Sequence, residues 1–417
     1  MPKSRTKDLD FLDIFSLGLI LLLFIFSILK YSYLPQFLDS YYHLSVANAF
    51  IESKGWVGYS WWDNAPIGRP HLYPPLYHLI LVLMKTLGLE GIKALKLSNI
   101  AILPLFFFSL WFVMRKIVNS RFAFFILLAL SSSFSFYVSV TGNIPASLGL
   151  ILGLFSWLFL KENKPLSSLL FLSLVFYTHA AISWVFLISF IFLAIFNKEY
   201  RKPALKIILA CLLLSSAIIY HQLRHARFFE FKLLYEARLI HFNIFLVLLC
   251  LVSLVFSYKK SDMATLLFCG FLIACVIVFF KYPYRIFNAQ GMVGISLLAV
   301  LFIEKTLFSK SLKRTRYLAI IIGSYLFILS SSLALDCKSF KLEVFDSTYQ
   351  SFISKKFIAS KHFRSIYFPR YWLPAAKAIT ENSQKTQIIA SNENYIAQLF
   401  SSLTSRPVAT AMLGEIK

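Results

Sequence analysis

The 417-residue chain is 58% hydrophobic and only 15% charged, whereas soluble domains carry roughly 25% charged residues. This composition excludes a single soluble globular domain. Its 42 lysines and arginines outnumber 19 carboxylates, giving a net charge of +23 that would first suggest nucleic acid in a soluble protein.

Apolar segments long enough to cross about 30 Å of hydrocarbon predict about eleven transmembrane helices. They lie near residues 11–34, 97–114, 122–140, 146–160, 165–178, 180–196, 204–220, 243–258, 263–280, 286–303 and 317–335. The segment 74–89 carries His78 and Lys85 after two prolines, so it predicts either a twelfth span or a helix lying at the membrane surface.

The positions of the basic residues decide between these two alternatives. If 74–89 does not cross and the N-terminus is cytoplasmic, about 19 lysines and arginines fall in the inner loops. A twelfth span would instead move the basic clusters after Arg115 to the outer face. We therefore predict an amphipathic surface helix at 74–89, and we assign the excess positive charge to membrane topology with no nucleic-acid partner.

This topology predicts an all-α, multi-pass protein of the cell membrane with two regions. A transmembrane domain covers residues 1–335 and includes a long first outer loop at 35–96. An extracytoplasmic tail at 336–417 alternates helical and strand patterns, with helices at 372–382 and 395–403 and strands at 387–391 and 407–410.

Several other functions lack support in the sequence. Ion-coupled transporters keep carboxylates near the bilayer midplane, whereas the acids of the apolar segments fall at or near their inner ends. Walker, GxSxG, HExxH and GxGxxG motifs are missing, and the five cysteines show no paired spacing. ATP hydrolysis, serine hydrolysis, zinc proteolysis and a disulfide framework are therefore disfavoured.

The first outer loop contains the most informative polar residues. Asp39 and His43 are four residues apart on a segment with the spacing of an amphipathic helix, so a carboxylate and an imidazole share one face. Such a pair suits a general base with its helper, or a ligand set for Mg²⁺ or Mn²⁺. Asp39 also suits a helix N-cap, and both roles stay open.

An aromatic and proline-rich stretch follows at 56–78 in the same loop. Its tryptophans and tyrosines are typical of an interfacial aromatic belt. Arg69, His71 and His78 are explained less well by such a belt, and Arg69 and His78 are candidate substrate-binding residues.

Three features of this loop together resemble a known superfamily. They are the motif D-S-Y-Y-H-L-x-x-A at 39–47, a glycine turn at Gly55 and the motif Y-P-P-L-Y-H at 73–78. They are similar to the polyprenyl-phosphate-dependent glycosyltransferases of the GT-C fold. That superfamily includes oligosaccharyltransferase catalytic subunits, protein O-mannosyltransferases and the aminoarabinose transferase.

The resemblance implies a function at the outer face of the cell envelope. It implies inverting transfer of a sugar from a polyprenyl-phosphate donor to a lipid, glycan or protein acceptor, with Asp39 as the functional carboxylate. His179, in Tyr177-Thr178-His179, resembles the superfamily's L-T-H motif, and Arg285, in Tyr284-Arg285-Ile286-Phe287, resembles its Y/F-R-F motif. The resemblance implies that Arg285, with Arg69 and His43, meets the donor phosphate; a snorkelling arginine is the alternative for Arg285.

Two departures and one further match refine the resemblance. The next outer loop, 139–145, has no acid where oligosaccharyltransferases carry a second acidic motif, which favours a single-carboxylate mechanism and leaves a metal cofactor open. Residues 403–407 read L-T-S-R-P, similar to the superfamily's L-T-G-R-P. The alternatives are a lipid-linked glycan polymerase or ligase, a transporter, and a non-catalytic GT-C-like membrane protein.

Overall fold

The computed structural model describes residues 9–29, 38–228, 241–257, 262–306, 333–336, 341–345, 369–391 and 394–409. Most of the predicted span at 317–335 lies outside these residues.

Helices account for most of the described chain. They are α1 Phe11–Leu29, α2 Leu38–Glu52, α3 Leu76–Thr86, α4 Gly91–Ile117, α5 Ser120–Ser131, α6 Phe134–Gly142, α7 Ile144–Lys161, α8 Pro165–Phe176, α9 Ala180–Phe196, α10 Lys198–Leu214, α11 Ser216–Arg224, α12 Ile244–Ser257, α13 Met263–Val278, α14 Pro283–Phe287, α15 Gln290–Thr306, α16 Pro369–Asn382 and α17 Asn394–Thr404. Side chains that accept a backbone N–H mark several helix starts, as expected for N-caps: Asn119, Asn143, His179, Asn197 and Asp262.

Four described helices are long and apolar enough to cross a membrane, namely α1, α4, α7 and the continuous segment Pro283–Lys305. Two bent pairs, α5 with α6 at 92° and α10 with α11 at 59°, raise that number to six if each pair is one span. Shorter apolar helices of 10–17 residues include α8, α9 and α13. The chain is a multi-pass membrane protein, and the predicted count of about eleven spans stays a prediction.

Small residues allow the apolar helices to pack closely. A Cβ atom added to Gly153 of α7 would lie 2.1 Å from the ring of Phe186 on α9. A Cβ atom added to Gly270 of α13 would lie 2.8 Å from Phe192, which is also on α9. Glycine at such contacts is typical of helix packing in membranes, where close approach of the helices maximises van der Waals contact.

One end of the bundle, called here the basic end, collects ion pairs from several helix termini. They pair as Arg115 with Asp13 (2.9 Å), Arg121 with Glu304 (2.5 Å) and Lys305 with Asp262 (2.8 Å). The positive-inside rule assigns all three basic residues to the same side of the membrane, and their contacts bring these helix ends together.

Helix α3 occupies the predicted surface segment 74–89, and it leaves Leu79, Leu83 and Leu87 exposed. The amphipathic pattern predicted for the helix at 40–50 is wrong, because every residue of α2 from 40 to 50 is buried or nearly so. Helix α2 lies between α3 and α17, so both of its faces are covered.

The described strands are short. β1 Tyr59–Ser60 pairs antiparallel with β2 Arg69–Pro70 within the first outer loop. A three-stranded sheet has the order β3 His241–Asn243, β5 Lys341–Phe345 and β4 Leu333–Asp336, with β3 parallel and β4 antiparallel to β5.

Both helices predicted in the tail are present, as α16 and α17. The strands predicted at 387–391 and 407–410 differ from the structure, which has a single parallel bridge between Ile389 and Val408 within the described residues. The two segments pair over too few residues to form a regular ladder, which explains the reduction to one bridge.

Candidate functional site

Asp39 lies in the first turn of α2, which begins at Leu38. Its side chain is half-buried. A carboxylate in this position is stabilised by the positive end of the helix dipole, and the helix fixes the direction in which it projects. Asp39 is therefore inside the helix and not at its N-cap, so the predicted N-cap role does not match the structure, and the role of general base stays a prediction.

His43, one turn farther along α2, is hydrogen-bonded to His78 on α3. The distance from His43 Nδ1 to His78 Nε2 is 2.9 Å, and both side chains are buried. Burial, with smaller contributions from the nearby His179 and His71, lowers the pKa of His43 to about 3. Burial, together with His43 and His71, holds the pKa of His78 well below its usual range. Both imidazoles are therefore neutral at pH 7.

A neutral pair of this kind has one proton in the shared hydrogen bond. The outward nitrogens, His43 Nε2 and His78 Nδ1, have no hydrogen-bond partner among the described residues. A buried polar atom without a partner costs about 1–3 kcal/mol, so the pair is a poor arrangement for stability alone.

Arg69, predicted to meet the donor phosphate, is buried in an ion pair. Its guanidinium is only 3% exposed and contacts the buried carboxylate of Asp63 at 2.5 Å. The β1–β2 hairpin sets this geometry, because Gly68 has φ +71° and a Cβ there would lie 2.6 Å from the ring of Tyr59. Arg69 therefore stabilises the first outer loop from within.

Tyr42 and His71 form a second buried hydrogen bond beside this ion pair. The hydroxyl of Tyr42 lies 2.9 Å from His71 Nδ1. Burial raises the pKa of Tyr42, and the negative charge of Asp63 adds to this effect. Burial also lowers the pKa of His71 to about 3, with His221 and Arg69 contributing.

Tyr73 connects the two halves of the site. Its ring centroid lies 4.7 Å from that of His43 and 5.9 Å from that of His179, both edge to face. His179 caps α9 through Nδ1, which accepts from the N–H of Ile182 at 3.4 Å. Burial and the positive charge of Arg285 lower the pKa of His179 to about 3.

Arg285 forms the far end of the site. Its guanidinium lies within 5.6–5.7 Å of three aromatic ring centroids, those of Phe279, Tyr282 and Tyr284. Its Nε also donates to the Tyr284 hydroxyl at 3.0 Å. The side chain is half-buried, so its charge is held in place by the rings and still reaches the surface.

Four of the six predicted site residues are connected by these contacts: His43, His78, His179 and, through its charge, Arg285. Asp39 lies one turn before His43 on the same helix, and these five residues are called here the histidine end. Arg69 lies in the neighbouring ion pair with Asp63, and its charge acts on Tyr42 and His71. Sequence reasoning missed the connecting role of Tyr73, which looked like one more member of the aromatic belt. It also missed Asp63 as the partner of Arg69.

The described residues contain no group of three or more histidine, cysteine, aspartate or glutamate side chains arranged to hold a metal ion. Asp39 alone does not make a protein-held metal site. The alternative of Mg²⁺ or Mn²⁺ at Asp39 stays open, because Mg²⁺ is commonly held by one or two carboxylates together with substrate phosphates.

No protein-family model matches the sequence, and no curated protein matches it. Solved structures do. The crystal structure of ArnT from Cupriavidus metallidurans bound to undecaprenyl phosphate matches with a TM-score of 0.57 at 11% identity, over 95% of this chain and 85% of that one. The chain has the GT-C fold.

Two structures of the archaeal oligosaccharyltransferase from Archaeoglobus fulgidus match similarly. The complex of AglB with an inhibitory peptide and a dolichol-phosphate gives a TM-score of 0.58 at 10% identity, over 95% of this chain and 64% of AglB. The complex of the oligosaccharyltransferase with zinc and sulfate gives a TM-score of 0.59 at 10% identity, over 94% of this chain and 62% of that one. The chain thus spans less than two thirds of the oligosaccharyltransferase, and at these identities the likeness establishes the GT-C fold alone.

Proposed function

We propose that this GT-C protein is an inverting membrane glycosyltransferase that takes a sugar from a polyprenyl-phosphate-linked donor and transfers it to a lipid, glycan or protein acceptor. The observation that carries the proposal is a run of side-chain contacts between the helix of Asp39 and Arg285. His43, one turn from Asp39 on α2, contacts Tyr73, and Tyr73 contacts His179, on which the charge of Arg285 acts. Asp39 and Arg285 are both half-buried.

Arg285 is the phosphate ligand in this proposal. A guanidinium suits a phosphate because it donates several hydrogen bonds from a fixed plane. The surrounding rings hold this charge before substrate arrives, so it needs little reorganisation when negative charge develops on the leaving phosphate. The complexes of ArnT with undecaprenyl phosphate and of AglB with dolichol-phosphate support a lipid phosphate as the ligand.

Asp39 is the general base. Its carboxylate accepts the proton from the acceptor's nucleophilic group as that group attacks the anomeric carbon, while the bond from that carbon to the phosphate oxygen breaks. Attack from the face opposite the leaving phosphate inverts the anomeric configuration.

The histidines support these two groups without titrating. A neutral imidazole donates or accepts a hydrogen bond but carries no charge that would compete with Arg285 for the phosphate. His43 and His78 fix α2 against α3, and His179 fixes the start of α9 beside Arg285. Arg69 keeps the outer loop folded through Asp63.

The proposed topology places this site outside the cytoplasm, with the N-terminus inside and the tail outside. We propose residues 1–335 as the transmembrane domain and 336–417 as the extracytoplasmic tail. Labelling intact cells with a membrane-impermeant thiol reagent tests this topology. We expect the cysteine of Lys85→Cys to react and the cysteine of Arg115→Cys to stay unlabelled.

The deciding experiment compares Asp39→Asn with Glu52→Gln, which changes an exposed acid at the far end of the same helix. Purified protein is supplied with a lipid-linked sugar and product is measured. Loss of a general base slows transfer by about 100- to 10,000-fold, so Asp39→Asn abolishes detectable transfer whereas Glu52→Gln retains it. Undiminished transfer by a folded Asp39→Asn protein contradicts the proposal.

A further inference from the structure

The tail contacts the same outer-loop helix that carries Asp39. Residues 394–409, called here the brace, pair with the loop through two backbone hydrogen bonds: Val408 N donates to Trp62 O at 2.9 Å, and Ala65 N donates to Val408 O at 2.8 Å. The brace thus adds a short strand-like segment to the outer loop.

Apolar side chains extend this contact along α2. One buried cluster combines loop residues with two residues of the brace, and its members are Tyr42, Val46, Ala49, Phe50, Trp62, Ala397 and Val408. Tyr42 and Val46 flank His43 in sequence, so the surface that the brace covers lies directly beside the histidine pair.

The polar contact within this interface is made by Asn48 of α2. Its side chain is 6% exposed, and its Nδ2 donates to the carbonyl of Ser402 in the brace at 3.1 Å. Its Oδ1 accepts from the ammonium group of Lys85 on α3. One amide therefore links the helix of Asp39 and His43, the helix of His78, and the brace.

The brace is itself anchored. Arg406, which is buried, donates to the carbonyl of Thr404 at 2.7 Å, to Ser383 Oγ at 2.7 Å and to the carbonyl of Thr380 at 3.0 Å. Because these bonds connect α17 to the end of α16, Asn48 is held against a fixed support.

We propose that Asn48 is a positioning residue, which sets α2 against α3 and the brace so that the His43–His78 hydrogen bond forms and Asp39 is aimed at the acceptor. The proposal rests on the proposed function for its effect on turnover. Asn48 acts through Asp39 and touches no substrate. In this proposal the tail is part of the site, because Asp39 is not correctly oriented without the brace.

The first test is Asn48→Ala, with Asn99→Ala as the matched control. Asn99 donates to the carbonyl of Thr141 at 2.9 Å and so makes a similar bond away from the brace. Misplacement of a catalytic group by about 1 Å costs about 100-fold in rate. We expect Asn48→Ala to lower kcat by about 10- to 100-fold with the donor KM changed less than about threefold, and Asn99→Ala to leave kcat unchanged.

Rescue separates positioning from chemistry. Ser45 on α2 and Ser401 in the brace have their Oγ atoms 3.5 Å apart, so Ser45→Cys with Ser401→Cys places two thiols for a disulfide. These cysteine variants are made in a protein that also carries Cys337→Ser, so that Cys337 does not compete for the new thiols. The other four cysteines are buried. We expect the disulfide to restore most of the kcat of Asn48→Ala when oxidised and to lose this effect after reduction.

Three outcomes overturn the proposal: an unchanged kcat in Asn48→Ala, no recovery with the disulfide formed, or loss of activity when the disulfide is placed in the otherwise unaltered protein. The third outcome would show that the brace must move.

A separate readout keeps the inference distinct from the proposed function. Amide hydrogen exchange of residues 38–52 needs no turnover, and we expect faster exchange in Asn48→Ala and its reversal by the disulfide. If the unaltered protein transfers no sugar, the proposed function fails while the exchange result still decides whether the brace holds α2. Unchanged exchange would overturn the positioning role.

Discussion

At the basic end of the bundle, carboxylates meet cations, whereas at the histidine end buried imidazoles meet one another. Arg115 and Asp13 typify the first arrangement, since the carboxylate also accepts from the indole of Trp111 at 3.1 Å. His43 and His78 typify the second, since each ring has one bonded nitrogen and one without a partner in the described chain. The two ends bury polar groups in opposite ways.

The difference separates stability from function. A buried ion pair that is fully hydrogen-bonded leaves nothing for a substrate to contact, and it serves to fix helix ends. Neutral histidines with unused nitrogens are a costly arrangement that persists only where the surroundings hold them. Their place near Asp39 and Arg285 is why we propose the histidine end as the functional end.

The largest expected effect comes from breaking two buried ion pairs, one at the basic end and one in the outer loop next to the histidine end. Asp13→Ala removes the carboxylate that Arg115 contacts, and Asp63→Ala removes the carboxylate that Arg69 contacts. Removing one partner of a buried pair typically costs about 3–5 kcal/mol, so both variants should unfold at much lower temperature in detergent.

Activity of the fraction that stays folded distinguishes the ends. We expect Asp13→Ala to retain the kcat of the unaltered protein, measured at low temperature, and Asp63→Ala to lose most of it, because Arg69 lies within the outer loop. Equal loss of kcat in both variants would mean that the two ends are not functionally distinct.

Acid provides the next test. His43, His71 and His179 have a pKa of about 3 in the fold against about 6.5 in an unfolded chain. The unfolded state then binds more protons between pH 6.5 and 3, so their contribution to stability is complete above pH 6.5 and is lost as the pH falls. At pH 5 the loss is about 2 kcal/mol for each histidine.

His179→Asn isolates one of these contributions. Asparagine is a good N-cap, so the start of α9 is kept while the titration is removed. We expect the free energy of unfolding at pH 7.5 to change little. The difference between the free energies of unfolding at pH 7.5 and pH 5 should shrink by about 2 kcal/mol. An unchanged pH dependence would show that His179 is not buried as a neutral group.

The same contrast explains what could be predicted from the sequence. The basic clusters could be placed on one side because the positive-inside rule counts residues and needs no contacts. The helix predicted within 74–89 is present as α3, and its place at the membrane surface stays a prediction. Asp39 could be proposed because the motif around it lies within nine consecutive residues.

Partners that come from distant segments could not be predicted. His43 and His78 are 35 residues apart, and Asn48 and Ser402 are 354 residues apart, so no spacing rule connects them. The burial of α2 on both faces was missed because its cover, α17, lies near the other end of the chain. Arg69 looked like a free cation for as long as its partner Asp63 was unknown.

The smallest expected effect compares two helix ends with left-handed backbone. Ser405 follows α17 with φ +55°, and Asn163 follows α7 at the basic end with φ +56°. Left-handed backbone costs most residues about 1–2 kcal/mol, whereas glycine bears no such cost and asparagine tolerates it. We therefore expect Ser405→Gly to raise the free energy of unfolding by about 1 kcal/mol and Asn163→Gly to raise it by less.

Ser405→Ala is the control for this comparison, because alanine removes the hydroxyl and keeps the strained Cβ. If the free energy of unfolding rises with glycine and not with alanine, the effect comes from the backbone. That result would agree with the glycine at this position of the similar motif L-T-G-R-P. Equal gains would assign it to the hydroxyl instead. Ser405 lies within the brace, where its N–H donates to the carbonyl of Ser401 and so bonds within the brace itself, and kcat should therefore be unchanged in both variants. A changed kcat would mean that the brace transmits strain from its own helix end to Asp39.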